Sequence, residues 1–348
     1  MKLIDLHRNG KLVDDVATLE AVSTYMMQSN PFSENTFFIG RNKPAVVIGR
    51  FQDAYAEVDL DYLRQHHITL MRRAAGGGAV YTDLGNFVYM YHVVDPNDRK
   101  YWLDFKHYAT PLVKVLEALG VKDVTITGRN DVAIGGRKVS GMAAFQLDDR
   151  FSIGGTLLYD VDIETAGKVL TPVRSKLESK GFASVNSRIF DVKAALPDEL
   201  KNLDAAEFEE IWLRSLFNVD SVDKIERVFF SDTDWQKIDA IVSDKFGNQK
   251  WNIGDRPHYS RYANQRFEQG TISVNFEVAN NQVTHFNLYG DFFTKENDIS
   301  EAENEMIGVD MNEIDLGDRF DNGKLKTVLP WMSGSEFAKL MMNSEKLG

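Results

Sequence analysis

Two arginines followed by a glycine triplet form the densest concentration of potential chemistry in this chain, within Arg72-Arg73-Ala74-Ala75-Gly76-Gly77-Gly78-Ala79-Val80-Tyr81-Thr82-Asp83-Leu84-Gly85-Asn86. Glycine loses the most backbone entropy on folding and packs no side chain. Three in a row therefore call for a sharp turn, or for a ligand pressed against main-chain N–H groups that face an anion. Paired guanidiniums beside such a loop suit a phosphate or carboxylate. A plain hairpin turn would explain Gly-Gly-Gly alone, but the arginine pair and the Asp83–Asn86 turn favour the anion. The chain has no Gly-x-x-x-x-Gly-Lys-Ser/Thr, and no Gly-x-Gly-x-x-Gly opens a helix, so a nucleotide here would need another fold.

A second constellation follows: Gly128-Arg129-Asn130-Asp131, then Gly136-Arg137-Lys138-Val139-Ser140-Gly141. Lys138 falls mid-strand beside a glycine hairpin. A long cation there either faces solvent on an edge strand or meets an anion, and this residue alone favours solvent. The chain contains no cysteine, which removes disulfides, thiolate metal sites and a cysteine nucleophile. Its seven histidines include no His-Glu-x-x-His spacing, so no structural zinc site is expected.

These residues need a scaffold, and the 348-residue chain is long enough for one large domain and a smaller one. A net charge of −12 argues against general nucleic-acid binding, although basic residues cluster at Arg72, Arg73, Arg129, Arg137 and Lys138. No apolar run reaches membrane-spanning length and no signal-peptide pattern opens the chain, so a cytoplasmic protein without membrane attachment is expected. Apolar periodicity predicts helices over 15–28, 60–66, 105–119, 163–170, 205–217 and 233–246. Strands are predicted at 45–48, 68–73, 87–94 and 124–127, with a hairpin pairing 131–134 with 137–140 through Gly135-Gly136. A second hairpin pairs 144–147 with 151–153. The polar run Gly247-Asn248-Gln249-Lys250 reads as a connector with few apolar anchors. It separates residues 1–247 from an α+β unit over 252–348, whose strands near 271–278 and 283–288 join through Asn280-Asn281.

Taken together the motifs resemble the lipoate–protein ligase family, which shares its catalytic fold with biotin ligases. The matching segments are Arg72-Arg73 with Gly76 to Val80, Asp83 to Asn86, Gly128 to Asp131, Arg137 to Gly141 and Gly155-Thr156-Leu157-Leu158. Ser179-Lys180-Gly181, Ser184 to Arg188 and Tyr289-Gly290-Asp291-Phe292-Phe293 extend the likeness over nearly the whole chain. The resemblance implies an α+β fold: a biotin/lipoate ligase-like mixed sheet flanked by helices over 1–247, the catalytic domain, and a C-terminal accessory domain. It also implies a two-step reaction. Lipoate attacks the α-phosphate of ATP, with Mg²⁺ on the phosphates, and a lysine of an acceptor protein then takes the lipoyl group from lipoyl-AMP. The acceptors implied are lipoyl domains of 2-oxoacid dehydrogenases or a glycine-cleavage H-like protein, served by a monomeric enzyme.

By the same resemblance, Lys138 is the central catalytic cation. Lipoate and adenylate would contact Arg73, Ala75, Gly76, Gly77, Gly78, Val80, Tyr81, Asn130, Asp131, Ser140, Gly141, Gly155 and Thr156, and Asp131 would be the magnesium contact. The chain departs from the family pattern at four places. Ala75 replaces a serine, Thr82 a histidine, Met142 an asparagine or serine, and Ile153-Gly154 a His-His or Ser-His pair. Each change removes or shrinks a polar group, so an altered acyl pocket or acceptor-facing surface is expected. Acyl transferases of the same fold use a catalytic cysteine, which this chain lacks. A biotin ligase is disfavoured because the Gly-Arg-Gly-Arg-type loop is missing. A non-catalytic lipoate- or lipoyl-protein-binding paralogue is the alternative from another class.

Overall fold

The computed structural model describes residues 1–171, 185–254, 259–296 and 298–346. The Ser179–Gly181 motif and Ser184 lie outside them. The principal elements of the larger part are β1 (Lys2–Ile4), α1 (Val16–Ser29), β2 (Thr36–Gly40), β3 (Ala45–Ile48), α2 (Leu60–Gln65), β4 (Thr69–Arg72), β5 (Val80–Thr82) and β6 (Asn86–Val93). They continue with α3 (Phe105–Ala118), β7 (Val124–Thr127), β8 (Asp131–Ile134), β9 (Arg137–Leu147), β10 (Arg150–Leu158), α4 (Ile163–Val169), α5 (Ala205–Phe217), β11 (Arg227–Val228) and α6 (Asp232–Ile241).

Eight strands form a mixed sheet in the order β11-β1-β2-β6-β10-β9-β8-β7, and a three-stranded sheet, β4-β3-β5, stands beside it. Strand β6 shows why the large sheet is covered on both faces. Side chains alternate across a strand, so Phe87, Tyr89, Tyr91 and Val93 join the core under α3 and α5, while Val88 and Met90 pack on the α1 side. Trp212 of α5 is 1% exposed, with its ring centroid 5.0 Å from that of Tyr89. Burial of each such side chain contributes about 1.5–3 kcal/mol. Aspartates start the helices: Asp15 caps α1 through the Thr18 N–H, Asp59 caps α2, and Asp204 with Glu207 forms a capping box on α5. The two predicted hairpins merge into one meander, because β9 and β10 continue past the predicted ends and pair from Ser140↔Leu157 to Leu147↔Arg150.

The remaining elements are α7 (Gln249–Asn252), β12 (Arg261–Arg266), β13 (Thr271–Ala279), β14 (Gln282–Gly290), α8 (Glu313–Asn322), α9 (Gly334–Met342) and β15 (Glu345–Lys346). Their sheet runs β14-β13-β12-β15 and buries one face against α8 and α9 around Phe276, Phe320 and Phe337. Asn280 and Asn281 close the β13–β14 hairpin with φ of 51° and 63°, the positive values a tight two-residue turn requires.

The connector differs from its expected looseness. Residues 249–252 are helical, and the next two side chains after the polar run are anchors. Asn252 accepts from the Arg72 N–H at 2.9 Å and donates to the Phe246 carbonyl at 2.7 Å, while Trp251 Nε1 donates to the Arg72 carbonyl at 2.8 Å. The polarity of 247–250 concealed this tie, because the bonding groups lie just beyond it.

His92, on β6, is 1% exposed and bonds Ser152 Oγ through Nδ1 at 2.8 Å. Burial pulls its pKa down to about 3. A folded-state value below the unfolded one means that stability is whole above about pH 6.5 and is lost as the pH falls through that range toward 3. We expect His92→Asn to flatten the acid limb of the unfolding free energy by up to about 1.4 kcal/mol per pH unit between roughly pH 6 and 4. Urea titrations of both proteins across that range measure the difference, and equal slopes would contradict the assignment.

Candidate active site

A partly open cavity of about 170 Å³ lies between the inner face of the large sheet, α1 and the β4-β3-β5 sheet. One part of its wall is apolar, with Val16, Leu19, Phe38, Val47, Met71 and Met90; the other is charged, with Arg129, Asp131, Lys138 and Arg188. A cavity of this composition suits a ligand with a hydrocarbon body and an anionic head.

The charged end is built on the β8–β9 hairpin. Lys138 Nζ lies 2.9 Å from Asp131 Oδ1, and Arg188 Nη2 lies 3.1 Å from Asp131 Oδ2. Two cations share one carboxylate that is 8% exposed, in a wall shielded from water. There an added anion is attracted more strongly than at a wet surface. Gly141 makes the geometry possible: a Cβ on it would lie 2.1 Å from Lys138 Nζ. The ammonium thus occupies the space that any side chain at 141 would fill. Asn130 Nδ2 donates to the Met142 carbonyl at 2.5 Å, bracing the hairpin.

The glycine loop closes another wall. Gly77 (φ +94°) and Gly78 line the cavity with Ala75 and Val80. Arg73 also lines it, yet its guanidinium donates to the carbonyls of Gly76 at 2.7 Å and Gly78 at 2.9 Å. It therefore holds the loop in shape. Burial lowers its pKa to about 10, still cationic at neutral pH. Gly76 turns from the cavity, and a Cβ there would sit 2.1 Å from the Phe292 carbonyl oxygen.

Several expected contacts are corrected by strand alternation. Tyr81 points away from its cavity-lining neighbours Val80 and Thr82 into the core under α4. Ser140 is fully buried and meets Tyr89 Oη at 3.2 Å, outside the cavity lining. Gly155 and Thr156 do line it. Arg72 is not an anion ligand: its guanidinium donates to the carbonyls of Gly49, Arg50, Gln52 and Trp251 at 2.5–3.2 Å. Among the four departures, Ala75, Thr82 and Gly154 line the cavity, whereas the Met142 and Ile153 side chains join the opposite core, Met142 touching the cavity edge only. Ala75, Thr82 and Gly154 are thus the departures that shape the interior wall.

Other wall residues were not expected. Leu19, Glu20 and Ser23 come from α1, and Arg266, Gln269, Asp291 and Phe293 come from the C-terminal part. Helical spacing of 19, 20 and 23 signals one face of α1, but their polarity hid a buried role. Glu20 accepts from the Ala74 N–H at 2.6 Å, beside the loop. Arg129 joins the two parts: its guanidinium donates to the Gln269 carbonyl at 3.1 Å and lies 4.7 Å from the Phe293 ring centroid.

This combination, a mixed sheet with a glycine-loop wall and a lysine-bearing hairpin, defines a lipoate ligase-like fold. A solved structure of P. falciparum LipL1 in complex with lipoate matches with a TM-score of 0.69 at 17% identity, covering 89% of this chain and 92% of that one. Lipoate-protein ligase A bound with ATP matches with a TM-score of 0.56 at 21% identity, covering 73% of this chain and 98% of that one. At these identities the likeness establishes the fold. The family models supply the rest: the lipoyl protein ligase A/B catalytic domain matches residues 15–217, and the bacterial lipoate protein ligase C-terminus matches residues 256–341. The lipoate–protein ligase of Streptococcus pyogenes serotype M5 (strain Manfredo) is 36% identical over 316 residues, 91% of this chain and 92% of that protein. The chain belongs to the lipoate–protein ligase family and is an enzyme.

Because Gly141 holds open the berth of Lys138, we expect Gly141→Ala to lower acyl-adenylate formation by about a hundredfold or more, the scale of losing one aligned charge-stabilising group. Its melting temperature should stay near the native one, because the pushed atom is the end of a flexible side chain. Pyrophosphate release and thermal melts check this, and a native rate would show that the lysine functions equally well elsewhere.

Proposed function

We propose that the chain activates lipoate with ATP in this cavity and passes the lipoyl group to a lysine of a lipoyl-acceptor protein. The observation that carries the reading is the Lys138–Asp131–Arg188 cluster at one end of a cavity whose wall also carries a largely apolar stretch. The apolar wall takes the acyl chain, and Lys138 meets the carboxylate. A carboxylate oxygen attacks the α-phosphorus, the bond from that phosphorus to the bridging oxygen breaks, and pyrophosphate leaves with the bonding electrons. Both reactants are anions, so positioning and neutralisation by Lys138, Arg188 and Arg129 carry the catalysis. Lysine acts here as a point charge, not a nucleophile. In the second step the acceptor ε-amine attacks the acyl carbonyl, AMP departs, and the amine gives up a proton.

Magnesium fits as a companion of the nucleotide. Among the described residues no group of three or more His, Cys, Asp or Glu could hold a metal by itself. Asp131 is the carboxylate at the phosphate-binding end, so a hard cation held mainly by phosphate oxygens and water would take at most that one protein contact. When bound, it would offset phosphate charge. The acceptor is a lipoyl domain of a 2-oxoacid dehydrogenase or a glycine-cleavage H-like protein. Its lysine must reach the same cavity that Arg266, Gln269, Asp291 and Phe293 help to wall, so transfer requires that wall to shift.

Lipoate and ATP with Mg²⁺ should release pyrophosphate without an acceptor. Lys138→Ala should lose about 3 kcal/mol or more of transition-state stabilisation with its fold retained. A folded native protein that binds lipoate but releases nothing would instead favour the binding paralogue. Intact-mass measurement against a panel of acceptor domains should show one lipoyl adduct on the acceptor lysine. Limited proteolysis with and without the adenylate should differ near Gly247–Gly254 if the wall moves.

A further inference from the structure

The deep end of the cavity is unexpectedly polar. Its course can be followed along β10, where Thr156 and Ser152 line the same cavity four residues, about 13 Å, apart. Gly141, over which Lys138 lies, pairs with Thr156. Ser152 pairs with His92, and His92 with Thr36 at the start of β2. Helix α1 runs antiparallel to β2, since a short loop joins the end of one to the start of the other. Leu19 touches the far end of β2, with its Cδ2 3.5 Å from a Cβ built on Gly40. Ser23 lies one turn farther along α1, about 6 Å deeper toward the Ser152 row. The two serines thus enter from opposite walls at the end away from the lysine.

The two hydroxyls differ in what holds them. Ser23 is 1% exposed, and its Oγ has no hydrogen-bond partner among the described residues, not even a carbonyl of its own helix. Ser152 is fully buried, and its hydroxyl bonds His92 Nδ1 at 2.8 Å. The Ser152 hydroxyl shares one proton with His92 Nδ1: where the imidazole donates it, the hydroxyl hydrogen is left for the cavity, and where Ser152 donates it, the oxygen lone pairs are. A buried hydroxyl without a partner costs stability that alanine would not. Phe38 and Met90 supply apolar and sulfur surface beside them, and Glu20 lies one turn along α1 from Ser23.

Resting on the ligase reading above, we propose that Ser23 and Ser152 form a sulfur-recognising end to the acyl cavity. The chain thereby selects an acyl group that ends in a disulfide ring over an unsubstituted hydrocarbon chain. Disulfide sulfur is polarisable and accepts weak hydrogen bonds, which a terminal methyl does not. An alkyl tip would leave both hydroxyls desolvated and unmatched, so the discrimination works against octanoate as well as toward lipoate.

The test compares kcat/KM for lipoate and octanoate in acyl-adenylate formation, with native protein, Ser23→Ala, Ser152→Ala and the double variant. Calorimetric titration of each acid into the same proteins gives the ratio of dissociation constants in parallel. We expect the lipoate-to-octanoate ratio to fall roughly three- to tenfold in the double variant, the scale of one or two modest hydrogen bonds. Ser23→Ala should lower it alone and keep or raise the melting temperature. An unchanged ratio, or equal losses for both acids, would overturn the proposal. If the double variant does not fold, Ser23→Ala decides, because that hydroxyl holds nothing in place. If the native protein binds both acids without releasing pyrophosphate, the ligase reading fails and the binding ratio still decides this proposal. Binding of neither acid would overturn both.

Discussion

One carboxylate shared by two cations organises this site. Asp131 is held by Lys138 on one oxygen and Arg188 on the other, so three charged side chains that would each resist burial become tolerable together. The sharing leaves the group net positive, which a one-to-one ion pair would not. This surplus within the trio is what the proposed role in meeting a carboxylate or phosphate rests on. The β8–β9 hairpin exists around this arrangement: its turn brings Asp131 opposite Gly141, and Gly141 gives Lys138 room to lie flat across the strand.

Close main-chain approach is the second constraint, and it runs through the cavity walls. A Cβ on Gly49 would meet the Gly77 carbonyl at 1.9 Å, and one on Gly154 would meet the Tyr89 carbonyl at 2.1 Å. The glycine loop is thus pressed onto the β4-β3-β5 sheet, and Arg73 fixes it there through the Gly76 and Gly78 carbonyls. Position 154 bears on the departures from the family pattern. A histidine cannot be placed there without moving strands β6 and β10 apart. Thr82 is fully buried, with its hydroxyl accepting from Asn42 Nδ2 at 2.9 Å.

The two parts of the molecule meet on polar main-chain atoms as well as apolar side chains. Arg72 gathers carbonyls from the segment after β3 and from Trp251, so one guanidinium gathers the catalytic domain and the connector. Phe51 stacks on Phe292 with a centroid separation of 4.9 Å, and the Phe51 carbonyl accepts from the Gly290 N–H. The Tyr289–Phe293 segment therefore closes the cavity from outside the catalytic domain. An interface of this mixed character can open without exposing a continuous apolar face.

The sequence by itself determined the elements and the chemical repertoire. Periodicity placed α1, β3 and α5 almost residue for residue, because an amphipathic helix or a short β-branched run leaves few alternatives to local physics. The linked motifs named the fold, and the lack of cysteine closed thioester chemistry. Lys138, Asp131, Asn130 and part of the glycine loop share one cavity, a grouping that the linked motifs suggested and that no one of these residues signalled by itself. Which way each side chain points was decided only in three dimensions. Tyr81 and Ser140 carried the right neighbours but the wrong strand parity. Arg72 had the right charge but meets a ring of carbonyls, assembled from segments far apart in the chain. Glu20, Ser23 and Phe293 were invisible as wall residues, since the packing of α1 and the C-terminal part onto the sheet is a property of the assembled core. Local propensity reads along the chain, whereas burial and charge pairing are set by residues that folding alone brings together.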